Sequence, residues 1–325
     1  MWNELVEYGR WAPSPHNIQN WRLRAVSDTA AELFYDPGRL LPATDPTGRF
    51  TIVGLGVFVE TLAVAARAHR LDVDLRPDER PFDPRATEPT RFGLLTLIPW
   101  AGAEELAPEL ILRRRTARGP YDARPVPDEV LRELERVAEG FGHRFTVESD
   151  PSFVEWVLEL NRDTLFYDLS DDAARKEVGR WLRFSERRAR ATRDGFSPAS
   201  LGFPGWLLFV FFRAHQLVEL PGLRAAIRHL YFRTMRGTRT VGWLDGPFAE
   251  PRGWLQAGRL LARFWLTLTK HGVHLHPFGS IITNERANAR LRERIGGDPW
   301  LILRLGYAPE PARSHRRTTE EVLVD

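Results

Sequence analysis

Two helical stretches 202 residues apart share one pattern, and that repetition limits the fold of this 325-residue chain more than any other feature. From Gly48 to His69, the apolar positions Val53, Val57, Leu62, Ala65 and Ala66 recur at helical spacing, while Gly54 and Gly56 leave room for close packing. The same offset pairs Gly56 with Gly258, Leu62 with Phe264, Ala63 with Trp265, His69 with His271 and Leu71 with Val273. Each helix precedes a stretch ending in a strong strand pattern, RFGLLTLIPW in one case and DPWLILRLGY in the other. A duplicated unit follows from this shared order.

Within the first unit, Trp21–Val26 alternates as a half-buried strand and Glu32–Asp36 can pair with it as a hairpin. The long helix leads to strands at Leu71–Leu75 and up to Trp100, separated by the proline-rich loop RPDERPFDPRATEP. In the second unit, helical signal runs from Pro127 to Glu139 and a strand from His143. Further helices are expected at Ser152–Tyr167, Ala173–Thr192 and Trp254–His271, with a final strand from Trp300. Asp45, Pro46 and Arg49 read as the cap and start of the first long helix.

The chain has no cysteine, which removes disulfides, thiolate nucleophiles and thiolate metal sites, so any redox chemistry must come from a bound cofactor. Its formal charge is only +3, and only Lys176 and Lys270 are lysines, so each arginine cluster must be weighed by itself. The N-terminal MWNELVEYGRW lacks the pattern of a secretory signal, giving a cytoplasmic expectation. The apolar run Trp206–Phe212 is too short for a spanning helix; a lid, a buried helix and a membrane-surface contact stay open for it. No nucleic-acid-binding module accompanies the arginines. His271, His274 and His276 lack an acidic fourth ligand, so no metal is expected.

Two segments carry the candidate chemistry. APSPHNIQNW, Ala12 to Trp21, sets Ser14, Asn17 and Gln19 between prolines and a strand, where they can present hydrogen-bonding groups. LRRRTARGPYDARPVP, Leu112 to Pro127, offers Arg114, Arg115, Thr116 and Arg118 as cationic forks and a hydroxyl suited to phosphate, although an isolated RRRT also reads as a solvated basic turn. The first segment resembles the APSxxNxQPW signature of the nitroreductase-like flavoproteins, and the second resembles their R-x-S/T-x-R opening followed by a V-P helix start. The similarity extends to AGRLLARFWLTLTKHGVHLHPFGS and to LILRLGYAPEPARSHRR.

The resemblance implies an α+β nitroreductase-like fold, two tandem repeats with mixed or antiparallel sheets, flanking helices and long central helices forming a pseudo-dimer. Relatives serve one FMN from two subunits; here both elements lie on one chain, implying one FMN per chain. By the same resemblance, Arg114, Thr116 and Arg118 would bind the phosphate, ribityl chain and pyrimidine edge. Pro13, Ser14, Pro15, Asn17 and Gln19 would come from the other half. Pro277, Phe278, Gly279 and Ser280 match the loop beside flavin N5, and Arg316 and Arg317, with Arg313 as a rival, match the late basic residues around the phosphate.

The pattern departs from the family at Asn20, where proline is usual, and at Gly119, where a second arginine is common. The expected halves are residues 1–108 and 109–325, the second carrying an aromatic insert at about 196–242 as a candidate lid. The activity implied is FMN-dependent transfer of electrons from NAD(P)H to a nitroaromatic, quinone or similar small acceptor, by a monomer or weak dimer. With the flavin carrying the chemistry, no catalytic residue is required, and His16 reads as an orienting group before a proton donor. The alternative is an FMN storage protein with a closed lid, or an enzyme acting on the flavin itself.

Overall fold

The computed structural model describes residues 1–213 and 220–324. Helix α1 (Trp2–Gly9) leads to the antiparallel hairpin β1 (Trp21–Ala25) and β2 (Ala30–Tyr35), helix α2 (Arg49–Arg67), and strands β3 (Leu71–Pro77) and β4 (Thr90–Pro99). After α3 (Glu109–Arg113) and α4 (Asp128–Glu139) comes β5 (Arg144–Glu148). Helices α5 (Pro151–Asp168), α6 (Asp172–Arg180), α7 (Glu186–Thr192), α8 (Pro198–Leu201), α9 (Gly205–Arg213) and α10 (Pro221–Arg233) then precede β6 (Thr240–Asp245). Helix α11 (Pro251–Lys270), β7 (His274–Pro277), α12 (Gly279–Thr283), α13 (Glu285–Ile295), β8 (Pro299–Gly306), α14 (Thr319–Val322) and β9 (Leu323–Val324) complete the chain.

The repeat is visible in the sheets. One sheet runs β3-β4-β2-β1 and the other β7-β8-β6-β5, with every neighbouring pair among these strands antiparallel. Each sheet thus places the strand pair that follows its long helix beside the pair that precedes it. The short β9 then adds in parallel to β1, so the end of the chain closes the edge of the first sheet.

Between the sheets, α2 and α11 cross at the two glycines 202 residues apart. A Cβ placed on Gly56 would lie 2.1 Å from the carbonyl oxygen of Leu255, and one on Gly258 would lie 2.1 Å from that of Val53. Val53 and Leu255 are themselves related by the same offset, so a pseudo-twofold axis passes through the crossing. Helix α2 is buried over almost its whole length; its N-cap is Gly48 (φ 71°) and not the expected Asp45, whose carboxylate nevertheless accepts from Thr51 N (2.8 Å) and Thr51 Oγ1 (2.9 Å) in the first turn. It is long and apolar enough to cross a membrane, but 89% of its most apolar window lies inside the protein.

A charge network ties the halves together beside this seam. Glu60 of α2 accepts from Arg259 Nε (2.8 Å), Arg263 Nη1 (3.1 Å) and Arg67 Nη1 (3.0 Å), and Glu104 accepts from Arg263 Nη2 (2.9 Å) and Arg67 Nη1 (2.8 Å). Burial opposes ionisation of Glu104, yet the guanidiniums of Arg263 and Arg67 pull its carboxyl down to about 2. A depressed carboxyl contributes stability above its unfolded pKa of 4.5 and loses it as pH falls through the folded value. Acid titration of Glu104→Gln should therefore show a shallower loss of stability between pH 4.5 and pH 2 than wild type, measured by thermal melts; parallel curves would remove Glu104 from the acid response.

Three sequence expectations are corrected. The single helix expected over Ala173–Thr192 is two, because Ser185 caps α7 by accepting from Arg188 N (3.2 Å) and the intervening backbone pairs with Phe196 (Phe196 N to Trp181 O, 2.8 Å). The strand at Trp300 is not the last, since β9 follows it. Strand β6 begins at Thr240, inside the stretch 196–242 read as lacking a first-half counterpart, and holds the place that β2 holds in the first sheet.

Candidate functional site

Five segments converge where the two halves meet. The turn after α3 carries Arg114 to Arg118, and Thr116 bridges in parallel to Leu275 of β7. This brings the Arg-rich segment against the strand that ends at His276 and Pro277. Arg114 is 8% exposed, its guanidinium lies 4.5 Å from the Trp265 ring centroid, and no carboxylate comes within 4 Å of it among the described residues. Burial, with Arg316, Arg115 and Arg118 nearby, pulls its pKa well below the usual arginine value.

Arg316 is likewise buried and without a carboxylate among the described residues; burial and the surrounding arginines, Arg313 first, bring it down to about 9. Arg313 lies 3.3 Å from the Trp11 ring centroid. Together with Arg115, Thr116 and Ser314, these residues line a cleft. Glu310 lies 3.8 Å from Arg115, and an anion in the cleft would offset the cost of the remaining buried cations. Polar atoms left buried without partners here are Arg114 Nη1, Arg115 Nε and Arg316 Nε.

Arg317 does not join the cleft. Its Nη1 donates to the carbonyls of Gln19 (3.3 Å) and Trp21 (3.2 Å), and its backbone N donates to Gln19 Oε1 (2.8 Å). Of the late basic residues, Arg316 and the rival Arg313 line the cleft, and Arg317 fastens the C-terminal segment to β1.

The N-terminal loop is held by the side chains that the motif contributes. Ser14 Oγ accepts from Gln19 N (3.0 Å), Asn17 Nδ2 donates to the carbonyls of Gly195 and His315 (both 3.0 Å), and Gln19 Nε2 donates to Arg193 O (2.9 Å). These bonds bind the loop to 193–197 and to the C-terminal segment, while His16, Asn17 and Gln19 occupy left-handed backbone (φ 48°, 55° and 49°). Gln19 is thus committed to the framework. Asn17 keeps a buried, unpartnered Oδ1, and Pro13, Ser14 and Pro15 lie along the same loop, with Pro15 and Ser14 against Gly54 of α2.

Burial, with Arg118 nearby, lowers His16 to about 4, so it is neutral at pH 7, and its Nδ1 has no partner. Arg118 donates to Ser200 O (3.2 Å) and lies 5.0 Å from the Phe196 ring centroid; burial lowers it to about 10. Segment 196–200 therefore covers Arg118. His276 is pushed well below its ordinary value by burial and by Arg304 and Arg118, and its Nδ1 is also unpartnered.

Pro277 ends β7, Phe278 packs in the core with its N–H donated to Ile302 O (2.8 Å), and Gly279 and Ser280 open α12. A Cβ on Gly279 would meet nothing within 4 Å, so close backbone approach from that side is open. His271 instead pairs with Glu133 (2.7 Å), away from His276.

Sequence reasoning missed Trp11, Trp265, Phe196, Ser200 and His276 as site residues. Trp265 carried a signal, since it lies on the repeated helix, and the cover from 196–200 falls at the start of the aromatic stretch 196–242 read as a candidate lid.

No family model matches the chain. It is 32% identical over 319 residues to "Putative NAD(P)H nitroreductase acg" of Mycobacterium tuberculosis, a match covering 96% of this chain and 91% of that one. A second protein of that organism, Rv3131, also named an NAD(P)H nitroreductase in putative form, is 29% identical over 307 residues (92% of this chain, 82% of the relative). Among solved structures, the FMN-dependent nitroreductase NfnB of Mycobacterium smegmatis in complex with NADPH is 16% identical with a TM-score of 0.41, covering 67% of this chain and 96% of that one.

Proposed function

The chain belongs to the NAD(P)H nitroreductase family, and from that premise we propose that it is an FMN-dependent oxidoreductase passing electrons from NAD(P)H to a nitroaromatic-, quinone- or similar small-molecule acceptor. The observation that carries this reading is the pair of enclosed guanidiniums, Arg114 and Arg316, with no carboxylate within 4 Å among the described residues. A flavin phosphate has the charge and the acceptor oxygens to satisfy both. Unpartnered Asn17 Oδ1, His16 Nδ1 and His276 Nδ1 supply further polar contacts of the kind that a ribityl chain and a heterocyclic edge require.

Bound there, FMN would supply the redox chemistry, hydride acceptance from NAD(P)H and electron delivery to the acceptor. This chain's own residues do the rest. Arg114, Arg316 and Thr116 hold the anionic end, Trp265 keeps Arg114 in place, and Arg118 presents a donor where segment 196–200 shields it from water. His16, neutral at pH 7, acts as a hydrogen-bonding group, one ring nitrogen donating and the other accepting, and not as a cationic acid. The framework bonds of Asn17 and Gln19 keep the first half's loop against the second half's arginines, so one site per chain is assembled across the seam.

Purified protein is expected to be yellow, with about one FMN per chain, to bleach with NADH or NADPH under anaerobic conditions and to regain colour with a nitroaromatic. A colourless preparation that FMN cannot reconstitute would end this reading. One observation favours a second reading, FMN storage beneath a closed cover: Phe196 and Ser200 already sit on Arg118. Colour that persists with either nucleotide would select it.

A further inference from the structure

Helices α9 and α10 expose what the rest of the molecule hides. Trp206 is 69% exposed, Phe209 52%, Leu220 57%, Leu223 40% and Leu230 41%, whereas the other exposed large apolar residues, Met1, Val26, Ile98 and Tyr167, are scattered singly. Trp206 and Phe209 share a face of α9, and Leu223, Ile227 and Leu230 form a stripe on α10 at the i, i+4, i+7 spacing of one helix face.

The undersides are fixed. Phe211 meets Phe166 of α5 (5.9 Å between ring centroids), Phe209 meets Phe184 (5.5 Å), and Tyr231 accepts from Asn161 Nδ2 (2.9 Å). The apolar side chains are therefore presented by anchored helices, and their exposure is a property of the folded chain.

The charge on these helices has one sign. GWLLFVFFR and PGLRAAIRHLYFR contain Arg213, Arg224, Arg228 and Arg233 and no aspartate or glutamate; Arg228 pairs with Asp163 of α5 (2.6 Å), and guanidiniums still exceed carboxylates with that pair counted. A second copy applied to the same face would set guanidinium against guanidinium with no carboxylate from either helix. An anionic lipid surface satisfies both features, because aromatic and aliphatic groups enter the acyl boundary while guanidiniums remain among the phosphates.

We propose that the helices Gly205–Arg213 and Pro221–Arg233 dock this protein on an anionic membrane surface, lying in the interface without crossing it. The inference is independent of flavin chemistry, and its readout needs no turnover.

The test is co-sedimentation of the full chain with vesicles of mixed phosphatidylglycerol and phosphatidylcholine, against pure phosphatidylcholine. Binding to the mixed vesicles is expected to be at least about tenfold tighter, and to weaken with salt. Trp206→Ser with Leu223→Ser should lower it by more than about tenfold with an unchanged melting temperature, and Arg213→Gln by about fivefold. Equal sedimentation with both vesicle types, none with either, or a double variant that sediments like wild type would overturn the proposal; the last result would assign binding to overall charge. A dimer that the double variant dissociates, without vesicle binding by wild type, would overturn it in favour of self-association.

Discussion

Arg114→Met should weaken FMN binding by about 10- to 100-fold and at the same time raise the melting temperature of the flavin-free protein. Methionine keeps most of the side-chain volume against Trp265 and deletes the charge, so the two effects separate cleanly from cavity formation. In the flavin-free state the guanidinium is buried, faces Arg316, Arg115 and Arg118, and has an Nη1 with no partner. Removing an uncompensated buried cation relieves several kcal/mol of desolvation at most, and a net gain of about 1–3 kcal/mol is the expected scale after lost packing.

With phosphate bound, the same group makes charge-assisted hydrogen bonds worth roughly 1.5–3 kcal/mol, which sets the affinity loss. Titration of riboflavin separates the causes further, since it lacks the phosphate and its affinity should change little. A flavin-free variant that melts lower than wild type, or one that retains FMN undiminished, would take Arg114 out of the anion site. Stability sacrificed at an unoccupied binding site is the expected signature of a residue kept for its ligand.

Much of this geometry was legible in the chain because it is written in local chemistry. The long helices announce themselves by period, the hairpin by alternation, and the repeat by Gly56 and Gly258, which prove to face each other. The pairing of Thr116 with Leu275 explains why the Arg-rich and His-Pro-Phe-Gly-Ser segments belong together, although 159 residues separate the two bridged positions. What stayed hidden depends on remote partners.

Strand β9 has two residues and exists only because β1 offers an open edge. Arg316 and Arg317 are adjacent and identical in type, and the carbonyls of Gln19 and Trp21 turn one away while the other lies over Trp11 and lines the cleft. Ser185 looked like one more polar residue on a basic helix, yet its hydroxyl restarts the helix there.

Gly56→Ala and Gly258→Ala should each destabilise the protein by about 3 kcal/mol or more, and by similar amounts. In an exposed helix interior the same change would gain up to about 1 kcal/mol, because alanine loses less backbone freedom. Here that gain is overwhelmed. The new methyl on either helix would stand 2.1 Å from a carbonyl oxygen of the other, and the next nearest atoms are also backbone, so no side-chain rotation can relieve it. The helices must move apart, and the packing of Leu55, Val59, Ala257 and Leu261 around the seam loosens with them.

Since the two glycines are related by the pseudo-twofold axis, the first methyl opens the gap that the second needs. The double variant should therefore cost clearly less than the sum of the singles. Gly54→Ala supplies the control on the same helix: its methyl would meet only Pro15, Asn20 and Ser14 at 3.6 Å or beyond, so denaturant unfolding should show no loss. If Gly56→Ala and Gly54→Ala unfold alike, the helices do not touch at their backbones. A large and equal loss at both crossing glycines, with the neighbour unaffected, is what a duplicated unit folded back on itself requires.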